Sequence, residues 1–148
     1  MRIYFDVCCY CRPFDDQSQL SICVETSAIV ALLSQCYCDS WTVFGSSVIE
    51  AEILRNPEVN LRNEIFLSYY ATVNEIIPYN TTIQTRAVDV QKYGLKHIDS
   101  LHFASAEIAM ADILFTVDKD FIKFAKKIDS SMPVENPVDW ILKRNKTL

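Results

Sequence analysis

Short runs rich in β-branched and aromatic residues recur along this chain, each followed by helical spacing, and that alternation restricts the fold more than any other feature. Arg2 to Val7 is the first such run. A polar, proline-containing link from Arg12 to Gln19 leads from it into a helical pattern reaching about Tyr37. Trp41 to Phe44 is the second run, and Ser46 or Ser47 can cap the helix after it, which carries Glu50 and Glu52. Asn56-Pro57 ends that helix, because the residue before proline avoids helical backbone. Leu61 to Thr72 resumes helical spacing, Val73 to Pro78 reads as a short strand, and Thr81 or Thr82 opens a helix that Gly94 closes. Asp99 to Ala111 sets Leu101, Ala104, Ile108 and Ala111 along one helical stripe, and Ile113 to Val117 is the clearest strand. Asp118 then caps Lys119 to Lys127, and Pro133 to Glu135 supplies an edge strand before a last helix around Val138 to Lys143. Strands alternating with crossover helices return to parallel neighbours with right-handed connections. The expected fold class is therefore α/β, a central, mainly parallel sheet between layers of helices. With 148 residues and neither repeat nor linker, one domain spanning 1–148 is expected, burying roughly 70% of its unfolded surface.

Only Gly45 and Gly94 are present, so the chain lacks the three glycines of a dinucleotide-binding fingerprint and the spaced pair of a phosphate loop. A net charge of -5 argues against nonspecific coating of nucleic acid, which needs an excess of Lys and Arg. It leaves a nuclease open, because bound divalent ions reverse the field of an acidic site. Asp6 interrupts the N-terminal apolar run, which lacks the pattern of a signal peptide, so a cytoplasmic protein is expected. The longest uncharged stretch, Thr26 to Cys38, falls short of the roughly 18 apolar residues of a membrane span and reads as a buried helix; no membrane association is expected. The six cysteines of the chain are then expected to be reduced.

Four acids fall where such a sheet would gather them. Asp6 ends the first strand run, Glu52 follows the second, and Asp99 and Asp118 bracket the last third of the chain. Parallel strands deliver their carboxyl ends to one edge, where ligands bind beside a topological switch point. Carboxylates clustered there suit a hard cation such as Mg²⁺ or Mn²⁺. Two of them about 5 Å apart repel by roughly 3 kcal/mol at an effective dielectric of 20, which raises pKa values or recruits a cation. Each acid also has a plainer explanation, since Asp99 and Asp118 stand where helix caps are expected. Asp6 is harder to explain that way, because a charge directly after a central apolar strand needs solvation or a partner. Glu50 and Glu52 point about 200° apart around a helix, so only one can join a common site, and apolar spacing leaves open which.

Four segments carry a family resemblance: Ile3-Tyr4-Phe5-Asp6, Ser46-Ser47-Val48-Ile49-Glu50-Ala51-Glu52-Ile53, Asp99-Ser100-Leu101-His102-Phe103-Ala104-Ser105-Ala106, and Leu114-Phe115-Thr116-Val117-Asp118-Lys119-Asp120-Phe121. Together they resemble the PIN-domain ribonucleases, which include the VapC-type toxins. The resemblance covers nearly the whole chain and selects Glu52 over Glu50. It implies a PIN-like three-layer α/β/α fold in a single nuclease domain. It further implies Mg²⁺ or Mn²⁺ held by Asp6, Glu52, Asp99 and Asp118, with Thr116 as a hydrogen-bonding support. The implied activity is endoribonucleolytic, with RNA as substrate, a cognate antitoxin as inhibitor and a homodimer as the assembly. One departure stands out: many members carry Thr and Asn after the first Asp, whereas this chain has Val7 and Cys8. That departure motivates a rival reading, a PIN-like RNA- or protein-binding regulatory module with weak or no turnover.

Other constellations compete with the acids. Cys8 and Cys11 form a C-x-x-C after a strand, as in thiol oxidoreductases, although Cys9 and Pro13 break the usual redox pattern. Zinc binding by Cys8, Cys11, Cys36 and Cys38 would need paired spacing that Cys36-x-Cys38 lacks. His97 and His102 lie about 140° apart on a helix and make no zincin pair, though His102 beside Asp99 could support a metal site. Lys119, Lys123, Lys126 and Lys127 form a basic face, with Arg12, Arg55, Lys92 and Lys96 nearer an RNA path.

Overall fold

The computed structural model describes residues 1–147 and consists of a five-stranded sheet with helices on both faces. The strands are β1 (Arg2–Phe5), β2 (Thr42–Ser46), β3 (Glu75–Ile77), β4 (Ile113–Phe115) and β5 (Val134–Glu135). The helices are α1 (Val7–Cys11), α2 (Leu20–Cys38), α3 (Ser47–Leu54), α4 (Val59–Thr72), α5 (Thr81–Gln91), α6 (His97–Ile108), α7 (Lys119–Ala125) and α8 (Pro137–Lys146). All four strand pairings are parallel, in the order β3-β2-β1-β4-β5. The chain works outward from β1 through β2 to β3, then crosses back to place β4 on the other side of β1. The switch point therefore lies between β1 and β4, at whose carboxyl ends Asp6 and Thr116 emerge.

β1 is the central strand, with Ile3, Tyr4 and Phe5 all fully buried. Phe5 stacks on Phe115 of β4 at 5.3 Å, and Trp140 of α8 meets Phe115 edge-on at 5.5 Å, so an aromatic column joins the two strands flanking the switch point to α8. A second cluster, Val48, Ile83, Ala87, Leu101 and Ala104, ties α3 to α5 and α6. Between β2 and α4 the backbone approaches closely: a Cβ built on Gly45 would fall 2.1 Å from the Tyr69 hydroxyl. Glycine is required there by contact, not by backbone angle.

Local chemistry sets the helix starts. Ser46 accepts a hydrogen bond from the Ile49 amide, Asn136 from Val138, and Asp118 from both Asp120 and Phe121. Two expected caps move. Asn80, not Thr81 or Thr82, caps α5, and Asp99 lies inside the first turn of α6, which begins after Lys96. The link after Asp6 is not wholly irregular, since Val7–Cys11 forms a short helix and Arg12–Phe14 a 3-10 turn.

Helix α2 also departs from expectation. It is 19 residues long, and by length and composition long and apolar enough to cross a membrane, yet only one face is buried. Ala28, Ile29, Leu32 and Cys36 pack inward, while Leu20, Val24, Val30 and Tyr37 face outward. It is apolar nearly all round, and its buried side packs against α8, the 3-10 turn and the core.

Candidate metal centre

Asp6 follows β1 directly, and its amide donates to the Phe115 carbonyl across the switch point at 2.9 Å. Its carboxylate is 6% exposed and fully engaged. Thr116 Oγ1 donates to Asp6 Oδ2 at 2.8 Å, the Cys8 thiol donates to the same oxygen at 3.1 Å, and Oδ1 lies 3.4 Å from His102 Nε2. Cys8 Sγ also lies 3.2 Å from Thr116 Oγ1 and accepts from the Val117 amide at 3.3 Å. The thiol thus supplies polar support beside the first acid, where the sequence suggested that support had been lost.

Glu52, one turn into α3, reaches the same point from the opposite side. His102 Nε2 is 2.6 Å from Glu52 Oε2, and the imidazole is fully buried. Ionised carboxylates only accept, so Nε2 carries a proton between Asp6 and Glu52. The other ring nitrogen is 2.8 Å from the Tyr4 hydroxyl, which in turn lies 2.7 Å from Ser46 Oγ. A buried row of Ser46, Tyr4 and His102 therefore orients the imidazole toward Glu52. Burial opposes charge on His102, but Asp6, Glu52 and Asp99 outweigh it and hold its pKa above the ordinary value. Burial likewise keeps the Tyr4 phenol protonated by raising its pKa. Glu50 points elsewhere and accepts from Tyr70 at the surface at 3.1 Å.

Asp6, Glu52 and His102 each bring one donor atom to within 4.8 Å of the others, and no other group of three such side chains converges this way among the described residues. Donors bound about 2.1 Å from an octahedral ion lie roughly 3 Å apart at adjacent corners and about 4 Å apart across it. The donor set takes one divalent cation only once His102 Nε2 gives up the proton it holds between the two carboxylates. Asp99 and Asp118 flank this triad without joining it. Burial first, then the charges of Asp6 and Asp118, push the Asp99 carboxyl up to about 6. Asp118 spends Oδ1 on its helix cap, while Oδ2 faces Lys96 at 3.9 Å. Thr116 ties the two acidic segments together, since its oxygen also accepts from the Asp118 amide at 3.1 Å.

The cysteine alternatives lose their physical basis. All six thiols are free. Hydrogen bonding with Cys9, burial and the Asp6 charge raise the Cys8 pKa, and burial pushes Cys11 up to about 11, the reverse of a reactive thiolate. Cys8, Cys11, Cys36 and Cys38 form no converging donor group among the described residues, so the zinc reading is not supported.

Two clefts flank the acids. One runs between α2 and the start of α7 and contains Arg12, Glu25, Asp118 and Lys119. Arg12 is largely neutralised there: it bonds Asp15 at 3.0 Å, and its Nε lies 3.0 Å from Glu25, poorly aligned for a hydrogen bond. The other cleft lies on the α3–α6 side and includes Glu52. His102 is the site residue that the sequence left undecided. The available signal was its place three residues after Asp99, one polar side chain within the apolar stretch Leu101 to Ala106.

No protein-family profile and no curated protein matches this sequence. Among solved structures the chain is similar to one in the crystal structure of VapBC2 from Rickettsia felis bound to a DNA fragment from their promoter. The TM-score is 0.61 at 15% identity, covering 92% of this chain and 98% of that one. The parallel sheet order, the helices on both faces and this likeness together establish a PIN-like α/β fold.

Proposed function

We propose that this protein is a metal-dependent endoribonuclease that hydrolyses RNA phosphodiester bonds as the toxin of a toxin–antitoxin pair. The observation that carries this reading is the convergence of Asp6, Glu52 and His102 within 4.8 Å at the switch point, with Asp99 and Asp118 beside them. The neighbouring VapBC2 complex supports the PIN-like setting for that site.

Asp6 and Glu52, joined by His102 once Nε2 has released its proton, are the residues that would hold Mg²⁺ or Mn²⁺, with Asp99 and Asp118 acting directly or through water. A bound ion there lowers the pKa of water and stabilises charge on the attacked phosphate. Thr116 and Cys8 fix the Asp6 carboxylate, and the Ser46–Tyr4–His102 row fixes the opposite wall. Asp99, beside Asp6 and Asp118, can take the proton released as a water oxygen attacks phosphorus, while the leaving ribose oxygen takes a proton from solvent as its bond to phosphorus breaks. The rival binding-module reading rests on a loss of polar groups at Val7 and Cys8; the Cys8 thiol's bonds to Asp6 and Thr116 supply polar support at the second position, while buried Val7 supplies none.

The outward face of α2, with Leu20, Val24, Val30 and Tyr37, supports a homodimer through apolar helical surfaces. An antitoxin would inhibit by presenting a basic side chain to the acids, where its charge takes the place of the cation's. The enzyme would work in the cytoplasm. The test is RNA cleavage by purified protein with Mn²⁺ or Mg²⁺. EDTA should abolish it, and undiminished cleavage by metal-free protein would refute the mechanism.

A further inference from the structure

The cleft on the α3–α6 side has an uncommon construction. It encloses about 330 Å³, at the small end of ligand pockets, and Glu52 belongs both to it and to the acidic triad. Val48, Ala51, Ile98 and Leu101 give it an apolar lining. At its rim stands Tyr79, 50% exposed, in the loop that follows β3. That loop is fixed at both ends of the residue. The Tyr79 amide donates to Ser47 Oγ at 3.3 Å, and the next residue, Asn80, caps α5. The backbone is anchored while the ring remains half in solvent. Arg55 closes the rim at the end of α3, and among the described residues its guanidinium has no hydrogen-bond or ion-pair partner.

We infer that this cleft is a nucleotide subsite for single-stranded RNA, holding the base of the nucleotide next to the scissile phosphate. The inference rests on the nuclease reading, because Glu52 places the cleft beside the reacting bond. An anchored, half-exposed aromatic ring over an apolar floor suits an unstacked base, the feature through which proteins read single-stranded RNA. The unpartnered Arg55 is the complementary charge for an adjoining phosphate. The cleft on the opposite side has Arg12 already paired with Asp15 and Glu25 and carries Lys119, but among the described residues it offers no aromatic ring for a base. The strand is gripped by base and phosphate on the α3–α6 side.

The test measures binding rather than turnover. A fluorescein-labelled single-stranded RNA hexamer is titrated with full-length protein in EDTA, alongside the same hexamers each carrying one abasic nucleotide. Wild type should lose affinity for at least one abasic hexamer. Tyr79→Ala should bind the intact hexamer about fivefold or more weakly and should no longer distinguish that abasic version. Tyr79→Phe should bind within about twofold of wild type. Arg55→Gln should flatten the salt dependence by about one phosphate contact. Tyr79→Ala that binds like wild type, with abasic discrimination intact, overturns the subsite. If that occurs while wild type cleaves RNA with Mn²⁺, the subsite alone has failed. Coupling between Tyr79 and one base without any metal-dependent cleavage would instead keep a base-binding site and remove the nuclease reading, and with it the site's place beside a scissile phosphate.

Discussion

Replacing Asp99 with asparagine should stabilise the metal-free protein while crippling the enzyme. The Asp99 carboxyl is pushed from 3.8 to about 6 by burial and by Asp6 and Asp118. A shift of about 2 units corresponds to at most about 3 kcal/mol; solvent screening at this half-buried position reduces that to on the order of 1–2 kcal/mol. The folded protein binds this proton more tightly than the unfolded chain does. Wild-type stability therefore falls as pH rises from about 4 and stops falling above the folded pKa of about 6. The amide carries no charge to repel Asp6 and does not titrate. In EDTA above that pKa, Asp99→Asn should melt about 2–8 °C higher than wild type, and near pH 4 the gap should close. Adding Mn²⁺ should reverse the order, because the wild type gains more from cation binding. Thermal melts across pH, with and without metal, read all three effects. A variant less stable than wild type above the Asp99 pKa in EDTA, or a gap independent of pH, would refute the reasoning.

Glu52→Gln should weaken Mn²⁺ binding and cut cleavage strongly, whereas Glu50→Gln loses only a surface bond to Tyr70 and should leave both near wild type; metal titrations and rates on the two variants decide it. Gly45→Ala drives a methyl into the Tyr69 ring and should cost about 1–3 kcal/mol or more in urea unfolding, and an unchanged midpoint would contradict the packing. Val30→Glu on the exposed face of α2 should convert a dimer to a monomer in light scattering without lowering the melting temperature by more than a few degrees. A wild type that is monomeric at high concentration rules out the interface.

The strand–helix alternation carried nearly all of the fold. Each expected strand run forms a strand of one parallel sheet, because β-branched and aromatic runs bounded by turn residues have few other buried solutions. The short helix after Asp6 was illegible, since Val7–Cys11 is too brief to show a period. Helix α2 misled in the opposite way: with Glu25 as its one charged residue, its sequence could not say which face would pack against α8 and the core. The order of the acids along the chain pointed to the carboxyl edge of the sheet, where Asp6 and Glu52 converge with His102. Periodicity could not separate Glu50 from Glu52, both of which lie among apolar residues on α3. Nor could spacing show that His102 meets Asp6 and Glu52 from a third element, a contact set only when α6 packs against α3 and β1.

The central claim is that Asp6, Glu52 and His102 hold one divalent cation on which RNA hydrolysis depends. Mn²⁺ titration of metal-free protein by calorimetry, paired with cleavage of the same samples, tests it most directly. The account predicts one Mn²⁺ per chain, with binding and cleavage lost together in Asp6→Asn while the fold survives. Saturating Mn²⁺ binding that is the same in wild type and Asp6→Asn, or cleavage that persists without it, would contradict the account.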